Sequence, residues 1–317
     1  MIIPSKLQPK ARGLMSLQEY TRKEIVEIMS LSALLKKDRT RHRLWGTLEG
    51  KTFALIFQKP STRTRLSIEV AIRELGGHST YLGWNDLQLG RMESISDTAK
   101  VMSRYLDGII ARVHSHNDLT IFAKWSTIPV FNALSDTHHP MQALADLFTI
   151  NEKKGKLGAL KVAFIGDGNN VANSLLIACS KVGLDLFVAS PKEYVPDPKI
   201  VKMALSNAKE SGSIVKVTTE PKEAAKNADV IMTDAATSMG FEDQSEQRTK
   251  IFFPRYQVNE KLLKITNKNS IVMHCQPWKI GEEITKTVAY GKQCVAFDQA
   301  ENRLHTSKAF LHFSYSP

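Results

Sequence analysis

Apolar residues along this chain switch repeatedly between two periods. From Leu17 to Leu35 they recur at helical spacing, with Ile25, Ile28, Met29 and Leu31 in the apolar set. Thr52–Phe57 is a short, nearly unbroken apolar run, the pattern of a strand buried on both faces. Leu66 to Leu75 returns to helical spacing and predicts a helix over Ser67–Leu75. Thr80–Leu82 then predicts a short strand, Asn85 to Met92 a polar loop, Ser94 to Tyr105 a helix and Gly108–Val113 a strand. Leu119 to Trp125 is helical, Pro129–Asn132 begins another strand, and Pro140 suits the first position of a helix running to about Asn151.

Asn151 to Gly158 is rich in Lys and Gly and predicts a hinge or surface turn. A second block follows: strand Lys161–Ile165, crossover helix Val171 to Val182, then strands Leu184–Ala189, Val215–Thr218, Val230–Thr233 and Ser270–His274. Ala235–Pro254 is long, polar and Gly-containing, which predicts a functional loop. Ala300 to Phe313 closes the chain as a helix. Strands that alternate with helices require parallel pairing through crossovers. The expected fold class is therefore α/β with two lobes, each a parallel sheet flanked by helices, and an active site in the cleft between them. The expected domains are residues 1–150, with a C-terminal helix 300–317 packing back on them, and residues 151–299. Ligands of such sheets bind beyond the carboxyl ends of the strands.

The 317 residues, 42% hydrophobic and 24% charged, are ample for two cores. A formal net charge of +11 invites a nucleic-acid or membrane reading. The basic residues are scattered, however, with no basic block and no interleaved aromatic stripe, so general attraction for small anions is expected and neither partner is. Cys179, Cys275 and Cys294 are an odd number at wide spacing, which fits neither a zinc pattern nor a disulfide framework and suggests a reducing cytoplasm. No apolar run approaches the roughly 20 residues of a membrane span, and Met1 to Gly13 has basic residues without a hydrophobic signal core.

Candidate chemistry concentrates at strand ends. Ser61-Thr62-Arg63-Thr64-Arg65 stands where Thr52–Phe57 ends and a helix begins. The first turn of a helix has unpaired N–H groups and a partial positive charge. Hydroxyls and arginines added there make a receptor for a phosphate dianion. The Gly-rich spacing of a nucleotide P-loop is absent, and the bland alternative is a helix cap with solvated arginines. Arg112 ends the next strand, and His139 and Gln142 open the helix after Pro129–Asn132. Arg112 can clamp two oxygens, His139 can donate to a carbonyl oxygen, and Gln142 offers a donor and an acceptor.

In the second block, Gly166-Asp167-Gly168-Asn169-Asn170 is a glycine turn without the dinucleotide fingerprint, and its asparagines suit a small zwitterion. Asp234, ahead of Ser238-Met239-Gly240, is either a loop cap or a carboxylate for an α-ammonium group. His274 and Cys275 are neighbours on one strand and point to opposite faces, so His274 is a poor base for Cys275. Arg303 is either a surface charge or one more anion contact.

Together these motifs resemble the aspartate/ornithine transcarbamylase family. Phe57-Gln58-Lys59-Pro60-Ser61-Thr62-Arg63-Thr64-Arg65 is similar to its carbamoyl phosphate signature, and His139-Pro140-Met141-Gln142-Ala143-Leu144-Ala145-Asp146 to its second signature. Gly166–Asn170, Asp234 with Ser238-Met239-Gly240, and His274-Cys275 with Pro277 resemble the ornithine-specific members. The resemblance spans about Leu14 to Leu311. It implies carbamoyl transfer from carbamoyl phosphate to the side-chain amine of L-ornithine, without metal or cofactor, in a trimer or multiple of trimers with shared sites. Residues 1–150 would then bind carbamoyl phosphate and 151–299 ornithine. Ser61, Thr62, Arg63, Thr64, Arg112, His139, Gln142 and Arg303 would hold carbamoyl phosphate, with Gln88 reaching into a neighbouring subunit's site. Asn170, Asp234, Ser238, Met239, Cys275 and Gln276 would form the ornithine site, and the Gln276–Pro277 bond would be cis. Arg112, His139, Cys275 and Arg303 would carry catalysis.

Gln58, Met92 and Gln276 stand where the family usually has Glu, Gly and Leu, and Ala235-Ala236-Thr237 replaces a Trp-containing stretch. The rival readings are a transcarbamylase for another amine, such as putrescine or an acylated ornithine, a catalytically silent homologue, and a basic nucleic-acid-binding protein.

Overall fold

A computed structural model describes residues 11–41, 45–89, 92–237 and 245–316. The chain folds as two units. The first draws on Met1–Glu19, Glu27–Met141 and Arg303–Pro317, the second on Tyr20–Val26 and Gln142–Asn302.

The first unit is built on strands β1 (Thr52–Phe57), β2 (His78–Gly83), β3 (Gly108–Arg112) and β4 (Val130–Leu134), all parallel and ordered β2-β1-β3-β4. Five of the six β1 positions and all of β4 are buried, which accounts for their unbroken apolar sequence. Its helices are α1 (Arg22–Thr40), which belongs to this unit from Glu27 onward, α2 (Thr62–Glu74), α3 (Ile95–Met102) and α4 (His116–Trp125), while α5 (Pro140–Lys154) begins here and belongs to the second unit from Gln142 onward. Ser61 caps α2 by accepting from the Thr64 amide at 3.4 Å. The chain runs from β1 outward to β2 and then returns to the other side of β1 for β3. The order therefore reverses between β1 and β3, and their adjacent carboxyl ends, Phe57 and Arg112, stand in register.

The second unit repeats the device. Strands β5 (Lys161–Ile165), β6 (Asp185–Ala189), β7 (Val215–Thr218), β8 (Val230–Thr233) and β9 (Ile271–His274) form a parallel sheet ordered β7-β6-β5-β8-β9. Its helices are α6 (Asn170–Val182), α7 (Pro198–Ser211), α8 (Pro221–Ala225), α9 (Ser245–Phe252), α10 (Glu260–Leu263), α11 (Lys286–Ala289) and α12 (Ala296–Tyr315), whose residues from Arg303 onward belong to the first unit. Reversal here falls between β5 and β8, whose ends lead to Gly166–Asn170 and to Asp234. Asn169 caps α6 by accepting from the Val171 and Ala172 amides. Gly183, at φ 88°, ends that helix in the left-handed region that favours glycine.

Two parallel sheets flanked by helices are the fold class that the periodicity predicts. One expected loop is corrected: within Ala235–Pro254, residues 245–252 are helical (α9). Its sequence, Ser245-Glu246-Gln247-Arg248-Thr249-Lys250-Ile251-Phe252, is too polar to register as an amphipathic helix. Buried Arg248 and Phe252 fix it instead. Helices α7 and α8 are further elements that apolar spacing does not resolve.

Gly168 has no room for a side chain. A Cβ there would lie 2.2 Å from the Pro196 nitrogen, 2.4 Å from the Val195 carbonyl carbon and 2.6 Å from the Tyr194 oxygen, all rigid backbone. Gly168→Ala should therefore displace the turn that carries Asn169 and Asn170 and cost about 2–3 kcal/mol. Thermal unfolding should report this as a loss of about 5 °C or more. An unchanged melting temperature would show that the turn has slack.

Candidate active site

In the first unit, α2 presents its first turn beyond the end of β1. Thr64 is buried there, and Ser61 Oγ donates to Thr64 Oγ1 at 3.0 Å. Arg303 of α12, only 3% exposed, donates from Nη2 to Thr64 Oγ1 at 3.0 Å and stands with Nη1 3.4 Å from His139 Nε2. A guanidinium only donates, so Nε2 of His139 is the acceptor and the ring proton sits on Nδ1. Burial holds the His139 pKa well below the ordinary imidazole value, and the positive charges of Arg303, Arg112 and Arg63 add to this. The result is a neutral imidazole, with a fixed tautomer, among three guanidinium groups. Arg112 is tied to the end of β1 where its carbonyl accepts from the Gln58 amide at 2.9 Å.

Arg65 does not share in this cluster. It pairs with Glu69 at 2.9 Å and stacks 3.8 Å from the Tyr81 ring centroid. Of the two arginines in the motif, Arg63 is the one whose charge acts on His139. Thr62 is exposed in the same first turn. Gln88 is exposed on the loop after Trp84–Asp86, where its carbonyl accepts from the Met92 and Glu93 amides.

In the second unit, Asp234 is the hub. Asn169 Nδ2 donates to its Oδ2 at 2.9 Å, and the Cys275 thiol donates to its Oδ1 at 3.1 Å. Asn170 is buried at the first position of α6. His274 is hydrogen-bonded to partners other than its neighbour Cys275. Its Nδ1 accepts from the Gln276 amide at 2.8 Å, while its Nε2 donates to buried Glu283 at 3.1 Å. Ligand atoms of Asp234, His274 and Cys275 lie within 4.8 Å of one another, a spacing that could hold a metal ion. Both His274 nitrogens are committed to hydrogen bonds, however, so the arrangement is satisfied without one. Gln276 adopts φ 57° and its bond to Pro277 is cis, as the resemblance implies. Gln142 donates from Nε2 to Asp146 at 2.8 Å, and Gln299 donates to the same carboxylate oxygen at 2.7 Å. This orients the amide of Gln142 through its nitrogen. Ser238 and Met239 lie outside the described residues.

The sequence profile described as "Aspartate/ornithine carbamoyltransferase, carbamoyl-P binding domain" matches residues 12–152, and the companion "Asp/Orn binding domain" matches residues 159–314. An ornithine carbamoyltransferase of Thermococcus kodakarensis is 51% identical over 303 residues, 95% of each chain. An anabolic ornithine carbamoyltransferase of Pyrococcus furiosus is 52% identical over 303 residues, again 95% of each. The solved structure of ornithine carbamoyltransferase from Pyrococcus furiosus superposes with a TM-score of 0.92, covering 95% of this chain and 96% of that one at 51% identity.

This chain belongs to the aspartate/ornithine carbamoyltransferase family.

Within that family frame, one participant escapes a reading of the sequence. Arg248 is buried and donates from Nη1 both to Asp167 at 2.7 Å and to the Ala236 carbonyl at 2.9 Å. It thereby joins the turn after β5 to the turn after β8. Nothing in its polar helix distinguishes it from a solvated arginine. The sequence groups Asn169 with Asn170 as a zwitterion contact, and it is Asn169 that touches Asp234.

The tautomer and depressed pKa of His139 generate a prediction. Its ring should remain neutral at about pH 6, where an unperturbed histidine is largely protonated. An unfolded chain takes up that proton near pH 6.5 and the folded site refuses it, so stability should fall as pH drops below about 6.5. NMR titration of the ring, with denaturant unfolding of wild type and His139→Asn across this range, measures both effects. A ring that titrates at the ordinary value would contradict the assignment.

Proposed function

We propose that this chain transfers the carbamoyl group of carbamoyl phosphate to the side-chain amine of L-ornithine, giving L-citrulline and phosphate. The observation that carries the reading is the neutral His139, oriented by Arg303 and set among Arg63, Arg112 and the first turn of α2. A neutral imidazole with its proton on Nδ1 is a donor for an oxyanion. The surrounding positive charge suits a phosphate leaving group.

In this reading Ser61, Thr62, Arg63, Thr64, Arg112 and Arg303 hold the phosphate, and Gln142 meets the carbamoyl NH2 through its amide oxygen. Asn170, Asp234, Ser238 and Met239 bind the amino-acid end of ornithine, with Gln276 bordering that site. A free alkyl amine has a pKa of about 10, so it is mostly protonated at pH 7 and must lose a proton before it attacks. Cys275, hydrogen-bonded to Asp234, orients that amine. The neutral amine adds to the carbamoyl carbon, and Thr64, Arg112 and His139 stabilise the tetrahedral oxyanion. The C–O bond to phosphate then breaks, and phosphate can accept the proton released by the amine. No cofactor is required by these steps.

We assign carbamoyl phosphate to residues 1–150 with the helix from 300 onward, and ornithine to residues 151–299; the limits of the two matching profiles support this division. The protein is expected to act in the cytoplasm. Among the described residues no helix is long and apolar enough to cross a membrane.

Citrulline should form from carbamoyl phosphate and ornithine, and far less product should form when putrescine replaces ornithine. Arg63→Ala should lower kcat/KM at least about a hundredfold, roughly 3 kcal/mol of charge-assisted contact. It should raise KM for carbamoyl phosphate, whereas Asp234→Asn should raise KM for ornithine. Near-normal turnover by Arg63→Ala would sink the phosphate assignment.

The assembly is proposed to be a homotrimer or a multiple of trimers, with exposed Gln88 completing a neighbour's site. Sedimentation equilibrium should give a mass that is a multiple of three 35.5 kDa chains. A monomer that forms citrulline at full rate would rule this out.

A further inference from the structure

The turn that delivers His139 hangs on one hydroxyl. Ser135 follows β4 directly and is fully buried. Its backbone amide donates to the His138 carbonyl at 2.9 Å, and its Oγ accepts from the His138 amide at 3.2 Å. Asn132, also fully buried, reaches the same oxygen with its Nδ2 at 3.4 Å. The nearest partner of the hydroxyl is Nδ1 of His116, at 2.9 Å, in the first turn of α4. A hydroxyl has one proton and two lone pairs. Two acceptors compete for that proton, Nδ1 of His116 at 2.9 Å and the His138 carbonyl at 3.3 Å, and the contact with His116 is the shorter.

His116 comes from the exit of the neighbouring strand, β3. It lies four residues past Arg112, and its own amide donates to Asp136 at 3.0 Å. The same two strand exits are tied by the Val113 amide to the Leu134 carbonyl at 3.0 Å and by the Asp136 amide to the His114 carbonyl at 2.9 Å. The β3–β4 register slips at this point, with Ala111 opposite Asn132 but Arg112 opposite Leu134. Ladder pairing alone therefore does not set the spacing between Arg112 and the His139 turn. Burial lowers the His116 pKa despite the nearby Asp136 carboxylate, so the ring is neutral and can accept.

We propose that Ser135 is a positioning residue for the reaction. Its hydroxyl, held by His116, sets His139 relative to Arg112 so that both meet the developing oxyanion. The inference rests on the carbamoyl-transfer reading above. It differs from a general folding role in what it predicts. The phosphate contacts of Arg63 and the α2 turn do not pass through Ser135, so substrate anchoring should survive its loss.

The experiment measures citrulline formation and the binding of inorganic phosphate in Ser135→Ala, His116→Ala and His116→Gln. Ser135→Ala should lower kcat by about tenfold or more, while KM for ornithine and Kd for phosphate stay within about twofold. His116→Ala should behave similarly. His116→Gln keeps a side-chain oxygen able to accept from the hydroxyl and should recover kcat to within about threefold of wild type. Wild-type kcat in Ser135→Ala, or a loss of phosphate affinity as large as the loss of kcat, would overturn the inference. So would a His116→Gln enzyme no better than His116→Ala, and the partly exposed His116 pair decides the matter should Ser135→Ala fail to fold. A wild-type protein that forms no citrulline would instead overturn the functional reading beneath it.

Discussion

Parallel strands can be joined only by crossovers, and crossovers bring every carboxyl end of a sheet to the same edge. That constraint governs both units of this protein. Each sheet also reverses its strand order once, between β1 and β3 and between β5 and β8. At a reversal the two crossover helices leave on opposite faces, and the loops after the central strands part. Part of the candidate chemistry sits at these two points: the α2 turn and Arg112 at one, Asn169 and Asp234 at the other. Residues far apart in sequence, such as Phe57 and Arg112, are neighbours because their strands pair in register.

Placing several guanidinium groups at one such point creates an electrostatic problem that His139 resolves by staying neutral. A protonated imidazole beside Arg303, Arg112 and Arg63 would be desolvated and repelled at once. Neutrality has a further consequence. With Nε2 accepting from Arg303, the ring has a single donor, at Nδ1, and cannot tumble between tautomers. Such a fixed dipole is worth most where water is excluded, because no reorganisation is needed when charge develops on a bound oxygen. His139 is only 4% exposed.

Much of this is legible in the sequence because it depends on local period and on punctuation. Central strands such as β1 and β5 are unbroken apolar runs, and the capping Ser61 and the Pro140 start mark helix entries without any tertiary information. What escapes is decided by which partner a side chain takes. Arg63 and Arg65 are equivalent in the motif, and only the positions of Glu69 and Tyr81 draw Arg65 aside. Helix α9 reads as a polar loop because its stabilising residue is an arginine, buried by a carboxylate 81 positions earlier. Ser135 and His116 give no signal at all, since an isolated Ser or His beside a strand is ordinary. The expectation that His274 cannot serve Cys275 does follow from strand geometry alone, and the ring's bonds to Gln276 and Glu283 agree with it.

The departures from the family pattern can be weighed by asking which atoms each position contributes. Gln276 supplies its backbone amide to His274, and Ala236 supplies its carbonyl to Arg248. Ala235 supplies its amide to Asp234 at 2.8 Å. None of these bonds uses the side chain that differs from the family's usual residue, so the hydrogen-bond frame around Asp234 and Cys275 is indifferent to the changes. Two departures do engage their side chains: Thr237 Oγ1 donates to Ser245 Oγ at 3.4 Å, and Gln58 accepts through Oε1 from the His114 amide. A glutamate in its place would present the same acceptor. Glutamine, however, adds no negative charge beside Asp118, whose carboxyl is already held above its ordinary pKa chiefly by burial. The substitution thus keeps the bond that ties β1 to the exit of β3, and it leaves the positive field around Arg112 less diluted than a second carboxylate would.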